Sequence, residues 1–150
     1  MRAALLALAA LLLMACGRKP ADPETAVRAT ITAIEEAVEA RDLDAVLERL
    51  APGFRGNGQQ TAQQVRGTLQ AVFLRQRSIH ALVRVSELSF PTPDLAVAKL
   101  RVAVAGTPLP EDGLLDGLNA DLIDVDLQLR LEDGAWKATS ARWSGTGDVW

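Results

Sequence analysis

The residues that could carry chemistry are few. Asp121, Asp124 and Asp126 cluster late in the chain. Carboxylates so spaced could gather around calcium, which takes about six to eight oxygen ligands. But Asp124 and Asp126 are two apart in an alternating stretch, so they share one strand face, and Asp121 falls before it. No loop cage forms, and no metal is expected. His80 is the only histidine and there is no tyrosine. A two-histidine acid–base or metal pair is therefore excluded, and so is a tyrosine hydroxyl that would stabilise an oxyanion. His80 stands where a strand begins and reads as a surface or strand-end residue. Gly56-Asn57-Gly58 reads as a turn, and no Walker-type phosphate loop is present. No cofactor is expected.

The remaining polar candidates lie in the last strand, and their facing depends on a hairpin. Asp133-Gly134 is a strong two-residue turn. Counting back from it, Leu131 opposes Trp136, Leu129 faces Ala138, Leu127 faces Ser140 and Val125 faces Arg142. That register puts Trp136, Ser140 and Arg142 on the inner face as candidate ligand-binding residues. Arg142 either anchors an anion or snorkels to solvent. Asp124 and Asp126 point outward, opposite Lys99 and Arg101, and no carboxylate points inward.

The elements that position these residues follow from periodicity. Val27, Ile31, Ile34 and Val38 recur at helical spacing from near Glu24, with Arg28, Glu35, Glu36 and Glu39 assigned to the other side. Asp42 is an N-cap after a break at Arg41. A second helix carries Leu43, Val46, Leu47 and Leu50 and ends at Pro52-Gly53, after which Phe54 drops into the core. Thr61 and Gln64 form a capping box. Val65, Leu69, Val72 and Phe73 then make the stripe of a third helix that ends near Arg77.

From Ser78 the period is two. Ala81, Val83 and Val85 alternate with polar partners. So do Ala96, Ala98, Leu100, Val102 and Val104, and then Ile123, Val125, Leu127, Leu129 and Leu131. The order is helices first and then about four antiparallel strands, an α+β layout with N-terminal helices packed on a curved sheet. Residues 106–121 form a connection longer than hairpins need. It carries Leu109 as well as Leu114, Leu115 and Leu118, a candidate partner contact.

Two resemblances add to this. The first concerns residues 1–16. Arg2 precedes an unbroken apolar run over residues 3–14, and Ala15 precedes Cys16, the only cysteine. The run is shorter than the about 20 residues that span a bilayer. Leu12-Leu13-Met14-Ala15-Cys16 resembles the lipobox of bacterial lipoproteins. The resemblance implies a signal peptide at 1–15, cleavage before Cys16, and lipid on that cysteine. With two or more acyl chains such an anchor is stable. Residues 16–24 would then be a tether and 25–150 the domain. Gly17 stands where inner-membrane retention would have aspartate, so the implied location is the outer membrane, facing the periplasm. A single exported thiol has no disulfide partner within the chain, which fits an acylation site. The sequence holds 16 basic and 19 acidic residues, and only Arg2 lies in 1–15, leaving 15 against 19. That acidic balance argues against a nucleic-acid partner.

The second resemblance concerns the domain. Ala33-Ile34-Glu35-Glu36-Ala37-Val38-Glu39-Ala40-Arg41-Asp42-Leu43-Asp44-Ala45-Val46, running into Leu50-Ala51-Pro52-Gly53-Phe54, resembles the opening of the cone-shaped nuclear transport factor 2-like superfamily. Asp133-Gly134-Ala135-Trp136-Lys137 with Trp143 is similar to its closing hairpin. SnoaL-like cyclases and ketosteroid isomerases belong to that superfamily. A cystatin-like sheet on one helix is the nearest rival and does not need the third helix. The resemblance implies a cone which, if it binds anything, offers apolar walls and one cation near its mouth. With no inward carboxylate expected, the reading is a non-enzymatic accessory lipoprotein binding an envelope partner protein or a small apolar ligand. The alternatives are a ketosteroid-isomerase-like isomerase or dehydratase, and a purely structural envelope protein.

Overall fold

The computed structural model describes residues 21–110 and 120–145. Helix α1 (Pro23–Glu39) starts where Asp22 accepts the Thr25 N–H at 3.3 Å, with Pro23 in the first turn. Proline is favoured there because its missing N–H would lack a helical partner anyway. Arg41 takes a left-handed backbone (φ +55°), and helix α2 (Leu43–Glu48) restarts with Asp42 accepting the Ala45 N–H at 3.0 Å. Helix α3 (Ala62–Arg75) opens with the full capping box: Thr61 N–H to Gln64 at 2.9 Å and Gln64 N–H to Thr61 at 3.3 Å. All three starts follow local side-chain chemistry, and the Asp42 and Thr61–Gln64 caps are those expected from sequence.

The second helix is shorter than its periodicity suggests. It stops at Glu48, and residues through Pro52-Gly53 belong instead to a strand, β1 (Leu50–Arg55). A 3-10 turn (Asn57–Gln59) follows it. Strands β2 (His80–Thr92), β3 (Leu95–Ala105), β4 (Asp121–Glu132) and β5 (Ala135–Gly145) complete one sheet in the order β1-β5-β4-β3-β2. Four strands form the antiparallel meander. β1 pairs with β5 in parallel, a fifth strand beyond the four expected. Proline lacks a ladder donor and is tolerated because β1 is an edge.

The β4–β5 turn is tight, with Asp133 at φ +49° and Gly134 at φ +79°, as a type I′ turn requires. No heavy atom lies within 4 Å of a Cβ built on Gly134, so only the backbone resists substitution there. Gly134→Val should cost about 1–3 kcal/mol in urea melts, the usual cost of forcing a β-branched residue into this region. An unchanged midpoint would mean the turn is of another kind.

Register shifts at several points bend the sheet. In β2 the pairing skips from Val85↔Leu100 to Glu87↔Lys99, leaving Ser86 extra. In β5 it skips from Leu129↔Ala138 to Gln128↔Ser140, leaving Thr139 extra. Such an insertion raises local twist and curvature. The packed core sits at one end of the resulting cone, where Val27 and Ile31 of α1 and Phe54 of β1 meet Ala96, Leu129, Trp136 and Ala138. Val27, Ala96 and Leu129 are fully buried.

Candidate functional site

Beyond that core the sheet and helices diverge around a cavity of about 510 Å³. Its floor is the inner sheet face, including Val83, Val102, Ile123, Val125 and Trp143. Its opposite wall is α3, whose apolar stripe Val65, Leu69, Val72 and Phe73 lines the cavity. Only Val72 of that helix is buried, so the stripe meets open space where a packed layer would bury it. Arg41 holds the far end of α3, donating to the carbonyls of Phe73 (3.5 Å) and Gln76 (3.2 Å). A cation there also complements the negative end of the helix dipole.

Trp143 is clamped. The Asn57 side chain donates to the Trp143 carbonyl at 2.7 Å and accepts the Trp143 N–H at 2.9 Å. One amide thus replaces a strand neighbour beyond β1. The Trp143 ring comes so close to Gly56 that a Cβ there would lie 2.9 Å from it. Asparagine and glycine in Gly56-Asn57-Gly58 therefore position an aromatic of the cavity, a role the turn reading alone does not reveal.

The structure moves two of the three candidate ligand-binding residues. Ser140 pairs with Gln128 and Arg142 with Asp126, both on the outer face. The inner positions belong to Ala141, opposite Leu127, and Trp143, opposite Val125. The extra residue at Thr139 is the cause, since one inserted residue shifts every later side chain to the other face. Trp136 does face inward opposite Leu131. It lies in the closed core and is absent from the cavity lining.

Asp124 and Asp126 point outward as expected. Asp124 meets Arg101 at 3.1 Å and Asp126 meets Arg142 at 3.7 Å. Lys99 lies opposite Asp126 in register but pairs with Glu87 at 3.0 Å. Among the described residues no three His, Cys, Asp or Glu side chains come together as a metal group would require. His80 opens β2 opposite Ala105, half-buried. Cys16 and the candidate contact residues Leu114, Leu115 and Leu118 lie outside the described residues.

Two carboxylates line the cavity, contrary to the expectation of none: Asp121, exposed at the start of β4, and Glu35. Glu35 of α1 lies on its wall, half-buried, and accepts the Val83 N–H at 3.0 Å. Glu39, one turn on, accepts the Ala81 N–H at 2.8 Å. The match is geometric. Residues four apart on a helix rise about 6 Å, and residues two apart on a strand rise about 6.6 Å. Burial pushes the Glu35 carboxyl above the usual carboxylate range; the Val83 hydrogen bond pulls the other way, and the charges of Glu39 and Glu36 add to the rise. The signal was in the sequence. Glu35 is four residues from Ile31 and eight from Val27, so it belongs to the buried stripe and not the wet face.

No protein-family model matches the chain, and no curated protein matches it. Solved structures do. A nuclear transport factor 2-like protein of unknown function from Shewanella oneidensis MR-1 superposes with a TM-score of 0.67 at 15% identity, over 82% of this chain and 99% of that one. A ketosteroid isomerase-like protein from Erwinia carotovora atroseptica SCRI1043 gives 0.61 at 14%, over 82% and 95%. A protein of unknown function with a cystatin-like fold from Nostoc punctiforme PCC 73102 gives 0.64 at 14%, over 83% and 92%. At such identities the likeness establishes the fold, the α+β cone of nuclear transport factor 2-like and cystatin-like proteins.

Proposed function

We propose that this chain is a lipid-anchored envelope protein whose cone takes up a small apolar molecule without transforming it. The observation that carries the binding reading is the cavity. It falls within the range of about 300–1,000 Å³ that small-ligand sites occupy, and such sites are mostly apolar with few polar groups. An apolar helix stripe and residues from all five strands line it, and water fills such a space poorly.

The non-catalytic part rests on what the wall lacks. Proton transfer next to a carbonyl needs a base and a donor that stabilises the developing oxyanion. Glu35 could serve as a base, but one of its oxygens is engaged by Val83. The chain has no tyrosine, and His80 opens an outer-face row opposite Ala105. The anchor rests on sequence alone: the lipobox-like residues 12–16, with Cys16 as acceptor and the outer membrane as the site. A second reading has one specific support. Glu35 is a half-buried carboxylate on the wall of a cone like that of a ketosteroid isomerase-like protein, which suits an isomerase or dehydratase with Glu35 as base.

N-phenyl-1-naphthylamine, neutral and apolar at pH 7, is a direct probe. Its fluorescence should rise saturably with the protein. Val102→Trp, which fills the cavity from β3, should weaken binding by about tenfold or more, the consequence of removing space for a ring worth several buried CH₂ groups. Its thermal midpoint should not fall. No saturable binding, or equal binding by the variant, would end the proposal.

A further inference from the structure

We propose that the cone selects cationic amphiphiles, molecules with an apolar body and one protonated amine, and seats the amine against Glu35. This rests on the apolar-binding reading and narrows it to a ligand class. The charged residues that line the cavity are Glu35 on the wall and Asp121, which pairs with Val104 in the last inward-facing row. Both are acidic. Among the described residues no lysine, arginine or histidine lines the cavity. An anionic head group entering would meet two carboxylates and no counter-charge. In a cleft with low-dielectric walls such fields are focused, which lowers the local concentration of one sign and raises the other.

Three basic residues on neighbouring elements are engaged elsewhere. Arg41 binds the end of α3. Arg101 and Arg142 pair with Asp124 and Asp126 on the outer face. Arg101 and Arg142 cannot swing inward without crossing the sheet, and Arg41 is held by the two carbonyls at the end of α3. Glu35 can also accept more than it does in its bond to Val83, because an ionised carboxylate has about four lone-pair sites on two oxygens. An ammonium carries three donors and no acceptor, so it complements this wall, whereas a carboxylate or phosphate head group brings only acceptors. Burial holds the Glu35 carboxyl up, and a cation beside it would draw it back towards the charged form.

Displacement of N-phenyl-1-naphthylamine from the full chain separates the possibilities. Decylamine, decanol and decanoate share one apolar body and differ only in the head group. All are used below micellar concentration at pH 7. Decylamine should displace the dye at a concentration about tenfold lower than decanol, as one charge-assisted hydrogen bond implies, and decanoate should be the weakest. Glu35→Gln keeps an acceptor for the Val83 N–H but removes the charge. It should erase most of the amine's advantage over the alcohol. Asp121→Asn, exposed at the rim, should reduce the same advantage in part and serves if the first variant fails to fold. Decanoate displacing as well as decylamine, an amine advantage that survives both substitutions, or no displacement by any of the three would overturn the ligand class and leave the apolar-binding reading standing. A dye that never binds would remove that reading first.

Discussion

Trp136→Ala should lower stability by about 3–5 kcal/mol, the cost of deleting a large aromatic from a core that cannot fully collapse, and should leave the cavity's affinity for N-phenyl-1-naphthylamine unchanged in the protein that remains folded. Trp136 is 6% exposed. It packs edge-to-face on Phe90, ring centroids 6.0 Å apart and planes at 71°, a geometry worth about 0.5–1.5 kcal/mol beyond burial. It belongs to the cluster with Val27, Ile31, Phe54 and Leu129 that closes the cone. Urea melts give the first quantity and dye titration the second. A small stability change with weakened dye binding would place Trp136 in the site and contradict the closed core.

The second large effect separates neighbours in sequence. Ala141→Asp should cost about 3 kcal/mol, the low end for an uncompensated buried charge, because water in the cavity reaches part of it. Arg142→Ala should change stability by about 0–1 kcal/mol, the range for exposed ion pairs. Ala141 is 9% exposed and faces Leu127. The Arg142 side chain is 78% exposed, 3.7 Å from Asp126. Thermal and urea melts of both variants decide between the bulged register and the regular one. A regular hairpin would reverse the order, since it would put residue 142 inside and residue 141 out.

The parts of this molecule that sequence made legible are those decided within a few residues. Asp42, the Thr61–Gln64 box and Asp133-Gly134 each act on their own backbone, so a reader of the chain finds them without knowing the fold. Phe54 was legible as core because an isolated aromatic after a break has nowhere else to go. What stayed hidden was decided at a distance. The pairing of β1 is with a strand more than 80 residues later, and Pro52-Gly53 argues locally for a stop. The bulge at Thr139 exists because the sheet must curve around α1, and no composition signal marks it. It reversed the facing of Ser140 and Arg142 and so changed the candidate site. Glu35 is a different case. Helical arithmetic placed it beside Ile31, but its charge led it to be assigned to the wet face.

Two carboxylates of α1, Glu35 and Glu39, also bear on how copies of the chain can meet. β2 is thirteen residues long and lies at the margin of the sheet. A margin of that length, with its amides pointing outward, is a template on which a foreign strand can add and from which fibrous association can grow. Glu35 and Glu39 already take the outward amides of Val83 and Ala81. A strand arriving at that stretch would have to displace two acidic side chains and lift a seventeen-residue helix before its first hydrogen bond. Further along, Pro91 denies an incoming chain a donor. The contact that holds the helix to the sheet therefore also guards against self-assembly.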